Sequence, residues 1–402
     1  MTDSAISDEL QDRVEQYRKL IPESVFTEQT FIDLLNMPKG TFLFMHNMYD
    51  DTIRRWADGL GDLNPRFRDK DYAAKTKYGR LVAPPLILVS VCGDVLYQAI
   101  TPRRARGFHS SSNWEFFQPV LEGDVIDFEG QGFSDIKVVE SKFSGHMVVC
   151  TGKVDYTNQR GELVGRVLST SHESVSLEVA KKIGKNKDTG PYRYSEEEVA
   201  AIKADREKEE RRGDVPRYWE DVSEGDSVGQ IVLGPWTAMD SIAFYNAGGH
   251  AGPGGKGERL AAEWARSTTR ITRQYDDRLN LEVPAMLSHL ENHQAQAVGL
   301  PGAYDIGMER QCHISILFTN WMGDDAFLWK YSCQYRQFVI YGDTTRVTGA
   351  VTRKYVEDGK YCVDIDYKGV NQRGAINSAG SATIILPSRE YGPVRYPTPA
   401  EA

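Results

Sequence analysis

Cysteine is scarce in this chain of 402 residues, and its placement is informative. The five cysteines are Cys92, Cys150, Cys312, Cys333 and Cys362. They are odd in number and scattered, and no Cys-x-x-Cys pair or Cys/His group with metal-ligand spacing accompanies them. This pattern argues against a disulfide framework and against a zinc site, so we expect no metal.

The chain also lacks a net positive charge and long apolar runs. Its formal net charge is −9 and its pI is near 5.5. No basic field would attract a nucleic acid or an anionic membrane, although a small anionic ligand could still bind at a local basic patch. No apolar run approaches membrane-spanning length, and the amino terminus lacks the apolar core of a signal peptide. We therefore expect a cytoplasmic protein without nucleic-acid or membrane partners.

Large apolar residues are nearly absent from one internal segment, 179–214, which is rich in charge. Such a composition is typical of a linker, and its acidic and basic residues predict an exposed helix over roughly 195–212. The length of the chain favours two or three domains, each able to bury a core. The charged segment is the natural boundary between them.

Sequence repeats lie on the two sides of this segment. Residues 67–85 share their frame with residues 289–307, at a separation of 222 positions. Residues 116–124 align with 335–343, and residues 155–164 align with 366–377, both of which contain Asn-Gln-Arg-Gly. Three matches in the same order, at slowly drifting separations of 222, 219 and 213, indicate a duplicated domain.

Each copy has the same succession of patterns. A short helix is followed by a longer apolar segment and then by runs of alternating polar and apolar residues, which predict antiparallel strands. The fold class is therefore α+β. We divide the chain into an amino-terminal helical extension, a first domain, the linker, a second domain and a tail, at residues 1–38, 39–178, 179–214, 215–390 and 391–402.

Two stretches resemble a known family. Residues 57–86 read ADGLGDLNPRFRDKDYAAKTKYGRLVAPPL, and residues 288–308 read SHLENHQAQAVGLPGAYDIGM. They resemble the signature of the MaoC-like, hydratase 2 family of (R)-specific enoyl-CoA hydratases and dehydratases. The resemblance implies a double hot-dog fold, in which two tandem domains each wrap an antiparallel sheet around a helix. It also implies one working site and one degenerate site.

The family mechanism, carried over by resemblance, distinguishes the two halves. It uses an Asp and a His for proton transfer, and a Gly backbone N–H at the start of the hot-dog helix to polarise a thioester carbonyl. In the first half Asp62 matches, but Phe67 replaces the His and Pro85 replaces the Gly. Phenylalanine transfers no proton and proline has no N–H. We therefore expect a non-catalytic first half that shapes the acyl pocket.

The second half retains His289 at the catalytic histidine position and Gly307 at the oxyanion glycine position. The acidic partner is missing, because Pro284 stands five residues before His289. A different alignment places His250 opposite Asp62, with an insertion over roughly 251–283. The partner of His289 therefore stays open among His250 and the acids Asp276, Asp277, Glu291 and Asp62.

Other residues are candidates for binding. The basic run containing Arg103, Arg104 and Arg106 could meet the phosphates of coenzyme A, although a solvated surface explains it equally well. We expect Tyr304 and Asp305, just before Gly307, to contact the substrate. His293 lies four residues after His289, which is metal-ligand spacing on a helix, but no third ligand is apparent.

The resemblance therefore implies an acyl-CoA hydratase or dehydratase of the (R)-specific type that acts on an α,β-unsaturated thioester. Coenzyme A enters as part of the substrate, and no separate cofactor is expected. Pairing of the two-domain chain into a homo-oligomer is compatible with this reading. The alternatives are a hot-dog acyl-CoA thioesterase and a non-catalytic acyl-CoA-binding or scaffold subunit.

Overall fold

The computed structural model describes residues 8–20, 25–35, 44–93, 107–141, 145–174, 191–249, 257–267 and 273–399. Its helices, numbered in chain order, are α1 Asp8–Leu20, α2 Glu28–Leu35, α3 Asp50–Leu60, α4 Lys70–Ala73, α5 Leu88–Val91, α6 Glu196–Glu207, α7 Ala238–Asn246, α8 Glu258–Ser267, α9 Asn292–Ala297 and α10 Gly307–Met322. Its strands are β1 Val25–Phe26, β2 Gly107–Phe116, β3 Ile126–Ser141, β4 Gly145–Asn158, β5 Leu163–Ser174, β6 Ser227–Leu233, β7 Arg273–Asp276, β8 Leu281–Pro284, β9 Phe327–Tyr335, β10 Thr345–Glu357, β11 Lys360–Asn371 and β12 Ile376–Ile385.

Ten of these strands form one continuous antiparallel sheet. Its order is β1-β3-β4-β5-β2-β9-β12-β11-β10-β6, and β7 and β8 form a separate hairpin. The two halves of the chain meet where β2 pairs with β9, in a register that runs from Ser111 opposite Gln334 to Glu115 opposite Lys330. The sheet is therefore shared between the halves, and each half contributes the strand next to the other.

One apolar core also serves both halves. It contains buried residues from Phe44 in the first half to Leu386 in the second. Helix α10 is buried on nearly all sides, and its Gln311 side chain accepts a hydrogen bond of 2.9 Å from Trp114 Nε1 on β2. Polar side chains in such a core need partners, and here the partner comes from the other half.

The duplication predicted from sequence is visible in the contacts of both halves. An isolated bridge joins Val82 to Leu121 in the first half, and another joins Tyr304 to Ile340 in the second. Val82 and Tyr304 are 222 positions apart, and Leu121 and Ile340 are 219 positions apart, as the aligned sequences require. The Gln of each Asn-Gln-Arg-Gly segment also donates a hydrogen bond to an equivalent Asp, as the pairs Gln159–Asp124 and Gln372–Asp343 show.

Equivalent residues at the beginning of the two halves are separated by fewer positions along the sequence. Met48 and Trp236, 188 positions apart, each donate a backbone hydrogen bond to the carbonyl of Asp124 or Asp343, respectively. Helices α3 and α7 follow these two residues and are equivalent. The separation grows from 188 to 222 between α7 and His289, so about 34 residues are inserted there, and they include α8 and the β7–β8 hairpin.

Helix α6 lies in the segment predicted as a linker. Ser195 caps it, with Glu198 completing a capping box, which satisfies backbone N–H groups at its start. Its Asp205 pairs with Arg346 of β10 at 2.9 Å, and the following Glu209 accepts a hydrogen bond of 2.7 Å from the Val232 backbone N–H of β6. The described part of this segment is therefore attached to the second half.

Two halves with equivalent contacts, one shared sheet and a central helix make this an α+β double hot-dog fold, which confirms the predicted fold class. The domain boundaries proposed from sequence stay predictions. Within the described residues, no helix is both long and apolar enough to span a membrane.

Candidate active site

His289 ends a short 3₁₀ turn, Ala285–His289, that precedes α9. Its Nδ1 lies 2.9 Å from the backbone carbonyl oxygen of Tyr304, and its ring lies 4.1 Å from the Tyr304 ring. A carbonyl oxygen can only accept, so Nδ1 carries the hydrogen and Nε2 is the basic nitrogen of the neutral ring. The same backbone segment continues to Gly307 three residues later, which couples the position of the imidazole to the start of α10.

Gly307 is the first residue of α10, after Ile306 in an extended conformation. The first N–H groups of a helix have no acceptor within it, and the helix dipole adds partial positive charge there. An oxygen that gains negative charge during a reaction is stabilised at such a position. The predicted oxyanion residue therefore lies at a helix amino terminus, as that role requires.

His109 of β2 lies against Gly307, and the sequence analysis did not single it out. A Cβ atom added to Gly307 would lie 2.9 Å from His109 Nδ1 and 3.2 Å from His109 Cβ. Only glycine leaves this space to the imidazole. On the other side of the ring, Nε2 lies 2.7 Å from Ser112 Oγ and 3.0 Å from Ser169 Oγ. A first-half histidine is thus held at the second-half helix terminus.

Asp305 and Arg310 form a buried ion pair beside Gly307. Arg310 Nε and a terminal nitrogen donate to the two Asp305 carboxylate oxygens at 2.6 and 2.5 Å. Asp305 is 5 % exposed, and Arg310 also donates to the backbone carbonyls of Gln337 and Asn377. Each of the two charges is compensated by the other, as buried charges require. The carboxylate of Asp305 is therefore bound to Arg310.

Tyr304 and Tyr335 complete the aromatic surroundings. Tyr304 is 7 % exposed and packs between the His289 ring and Phe338, whose centroid is 5.0 Å away. Tyr335 packs on the His109 ring at 4.6 Å and faces the Arg310 guanidinium at 5.5 Å. These rings restrict how the two imidazoles can turn.

The equivalent place in the first half is apolar. Phe67 is completely buried, and Pro85 begins a 3₁₀ turn at the position of Gly307. Pro85 lines a cavity of about 30 Å³ together with Leu328 of β9. Leu328 occupies the position equivalent to His109, because it follows His109 by the same 219 positions that separate the aligned segments 116–124 and 335–343. This half has neither the histidine nor the helix N–H.

The acids weighed as partners of His289 have the following contacts. Asp62 Oδ1 accepts a hydrogen bond of 2.9 Å from the Asn64 N–H. Burial raises its pKa, against the lowering effect of this hydrogen bond. The remaining acids, Asp276, Asp277 and Glu291, lie at the β7–β8 hairpin and the start of α9.

Arg278 organises the acids of the hairpin. It donates two hydrogen bonds to Asp276, at 3.1 and 2.7 Å, and one of 2.9 Å to Glu291. The hydrogen bonds from Arg278 lower the pKa of Asp276 to about 2. Asp277 and His293 bond each other at 2.9 Å. A metal ion could be held by Asp276, Asp277 and His293, since one potential ligand atom from each lies within 4.8 Å of the others. Arg278, however, already supplies a positive charge to the buried Asp276 carboxylate.

Four predicted residues, Arg103, Arg104, Arg106 and His250, lie outside the described residues. Their proposed roles stay predictions, as do those of His289, Gly307, Tyr304 and Asp305.

A polar cavity of about 190 Å³ lies behind α10, between this helix and β6. Its lining includes Glu309, which is fully buried and accepts hydrogen bonds from Trp236 Nε1 at 2.9 Å and the Ser241 hydroxyl at 2.6 Å. Burial, with a contribution from the charge of Asp305, raises the pKa of Glu309 to about 8. His313, one turn later, has a pKa that burial lowers.

Comparisons with known proteins agree with these features. Residues 47–167 match the family described as the FAS1-like dehydratase domain region. The UPF0336 protein Franean1_6066 of Parafrankia sp. (strain EAN1pec) is 30% identical over 117 residues, which are 28% of this chain and 74% of that protein. A UPF0336 protein of Thermobifida fusca (strain YX) is 32% identical over 79 residues, 18% of this chain and 52% of its own.

Two solved structures share the architecture over most of the chain. A MaoC-like dehydratase superposes with a TM-score of 0.59 at 16% identity and covers 88% of this chain and 99% of its own. A putative MaoC domain protein dehydratase from Chloroflexus aurantiacus J-10-fl superposes with a TM-score of 0.50 at 12% identity, over 87% and 98% of the two chains. At these identities the likeness concerns the fold.

Proposed function

Since the chain belongs to the MaoC-like hydratase family and is 30% identical to a UPF0336 protein over 117 residues, we propose that it hydrates an α,β-unsaturated acyl-CoA thioester, or dehydrates the 3-hydroxyacyl-CoA, with (R) stereochemistry. The observation that carries the proposal is the placement of Gly307 at the amino terminus of α10, with His289 bound to the backbone segment that leads into it. The first half has Pro85 and Phe67 at these positions.

The chemistry needs an electrophilic carbonyl and a base. The Gly307 N–H donates to the thioester oxygen, which draws electrons from the double bond and makes Cβ electrophilic. His289 Nε2 takes a proton from water while the water oxygen bonds to Cβ, and the enolate oxygen gains negative charge at the helix terminus. The proton held on His289 Nε2 is then transferred to Cα, which gives the 3-hydroxyacyl thioester and returns the imidazole to its neutral form. Dehydration follows the same steps in reverse.

The neighbouring residues support this chemistry by holding the His289 imidazole and the Gly307 backbone in fixed positions. The hydrogen bond from His289 Nδ1 to the Tyr304 carbonyl keeps Nε2 as the basic nitrogen, and the Tyr304 ring, which packs against the imidazole at a tilt of 46°, limits its rotation. The buried ion pair of Asp305 and Arg310 fixes the backbone just before and after Gly307. Rigid placement of reacting groups contributes to catalysis because less motion must be lost in the transition state. For the phosphates of coenzyme A, Arg103, Arg104 and Arg106 remain the candidates.

A series of 2-enoyl-CoA thioesters of increasing bulk tests the proposal. Hydration removes the absorbance of the conjugated thioester without releasing thiol, and chiral chromatography identifies the (R)-3-hydroxyacyl product. Release of free thiol from saturated and unsaturated thioesters alike would favour the thioesterase alternative. Binding of these thioesters without any reaction would favour the scaffold alternative.

A further inference from the structure

We propose that His109, from the half that lacks the catalytic motif, donates a second hydrogen bond to the same thioester oxygen as the Gly307 N–H. The reaction centre would then be built from both halves of the chain, with the first half supplying a residue that touches the reacting group. This inference rests on the proposed function, because it assigns His109 to the carbonyl that Gly307 would polarise.

The distance between the two donors suits one shared acceptor. His109 Nδ1 lies 2.9 Å from the position of a Cβ on Gly307. That position is about 2.5 Å from the Gly307 nitrogen, from standard bond lengths and angles, so the two nitrogens are at most about 5.4 Å apart. Two donors that each approach one oxygen to about 2.9 Å can be up to roughly 5.8 Å apart. One oxygen can therefore reach both.

The other side of the imidazole supports a donor at Nδ1. Ser112 and Ser169 are both completely buried, and both hydroxyls lie within hydrogen-bond distance of Nε2. A hydroxyl can donate to an unprotonated ring nitrogen, and the neutral ring then carries its hydrogen on the other nitrogen. Ser112 and Ser169 act as positioning residues, and the Tyr335 ring at 4.6 Å limits rotation of the imidazole.

The first half provides an internal comparison. Leu328 stands at the position equivalent to His109, and Pro85 stands at the position equivalent to Gly307. Both donors are therefore present at the site around Gly307, and both are absent from the equivalent site around Pro85. If His109 only filled space, there would be no reason for leucine to replace it at the same site where proline replaces the glycine and removes the helix N–H.

The test uses His109→Leu, which copies Leu328 at the equivalent position of the second half, and His109→Asn, whose amide can place an N–H near the position of Nδ1. With the enoyl-CoA that wild type hydrates best, we expect His109→Leu to lower kcat about 10²–10³-fold with little change in KM, as loss of one oxyanion donor does. His109→Asn should recover at least about tenfold. If His109→Asn is as slow as His109→Leu and the pH profile loses one limb, His109 transfers a proton and the donor role is wrong.

A second measurement separates this inference from the proposed function. Butyryl-CoA labelled with ¹³C at the thioester carbonyl cannot be hydrated, and its bound carbonyl resonance reports polarisation by hydrogen bonds. We expect the bound resonance to move upfield in His109→Leu and to stay at the wild-type position in His289→Ala. Identical resonances in wild type and His109→Leu would overturn the inference even if the enzyme hydrates enoyl thioesters.

The remaining outcomes are also decisive. If wild type hydrates no thioester but the carbonyl resonance still depends on His109, the proposed function fails and the second donor stands. Failure of the wild-type protein to bind butyryl-CoA at millimolar concentration overturns both. Equal melting temperatures of the two His109 variants and wild type exclude misfolding as the cause of a lower rate.

Discussion

The buried carboxyl group of Glu309 makes the stability of the protein depend on pH in a predictable way. Its pKa is raised from 4.5 to about 8, mainly by burial. Between these values the folded protein holds a proton that the unfolded chain has released. The stabilisation from the neutral carboxyl is therefore fully present below about pH 4.5 and is lost as the pH rises towards 8.

The size of the effect follows from the same values. Each pH unit in this window lowers the free energy of unfolding by about 1.4 kcal/mol, so raising the pH from 5.5 to 8 costs roughly 3 kcal/mol. An unfolding entropy of about 2.1 cal/mol/K per residue, over the 402 residues, converts this into about 4 °C of melting temperature. Glu309→Gln removes the titration but keeps an oxygen that can accept from Trp236 and an amide that can pair with Ser241.

Thermal unfolding of wild type and Glu309→Gln across this pH range measures the difference. As the pH rises from 5.5 to 8, we expect the melting temperature of Glu309→Gln to rise by about 4 °C relative to that of wild type. The other titrating groups are common to both proteins, so they cancel in this difference. The matched control is Glu282→Gln, which removes an exposed carboxyl and should show a constant difference from wild type. If the melting temperatures of Glu309→Gln and wild type also differ by a constant amount across this pH range, the assignment of a protonated, buried Glu309 is refuted.

Three further predictions concern the site. Gly307→Pro should lower kcat about 10²–10³-fold more than Gly307→Ala, since both add a Cβ but only proline removes the N–H; equal losses in steady-state kinetics would contradict an oxyanion role. Phe67→His, introduced into His289→Ala, should restore no hydration, because Pro85 still lacks a donor; any recovered turnover would count against a degenerate first half. Prolonged chelation should change neither turnover nor melting temperature, because Arg278 already compensates the hairpin carboxylates; loss of either on chelation would show that a metal is required.

Repetition is what made much of the fold predictable from sequence. The Asn-Gln-Arg-Gly segments at Asn158 and Asn371 are local turns whose side chains bond an Asp at the preceding strand in both halves. A local hydrogen-bonding pattern that occurs twice in one chain identifies equivalent backbone positions without a structure. The same frame correctly equated Val82 with Tyr304, which form equivalent bridges.

His109 and Glu309 were not predictable in this way, for different reasons. His109 reaches Gly307 only because β2 pairs with β9, and that pairing joins residues more than 200 positions apart. Glu309 lies in the first turn of α10, where an acidic residue commonly compensates the helix dipole while exposed to water. Its complete burial depends on the β6 and α7 elements that cover this turn, and sequence periodicity does not report such coverage.

The most direct test of the account is the hydration of an enoyl-CoA by wild type and His289→Ala. A general base acts in the transition state, so we expect the variant to lose about 10²–10⁴ in kcat while KM changes little. Both parameters come from the decay of the conjugated-thioester absorbance at several substrate concentrations. A variant that keeps the wild-type kcat, or that changes only KM, would contradict the assignment of His289 as the base.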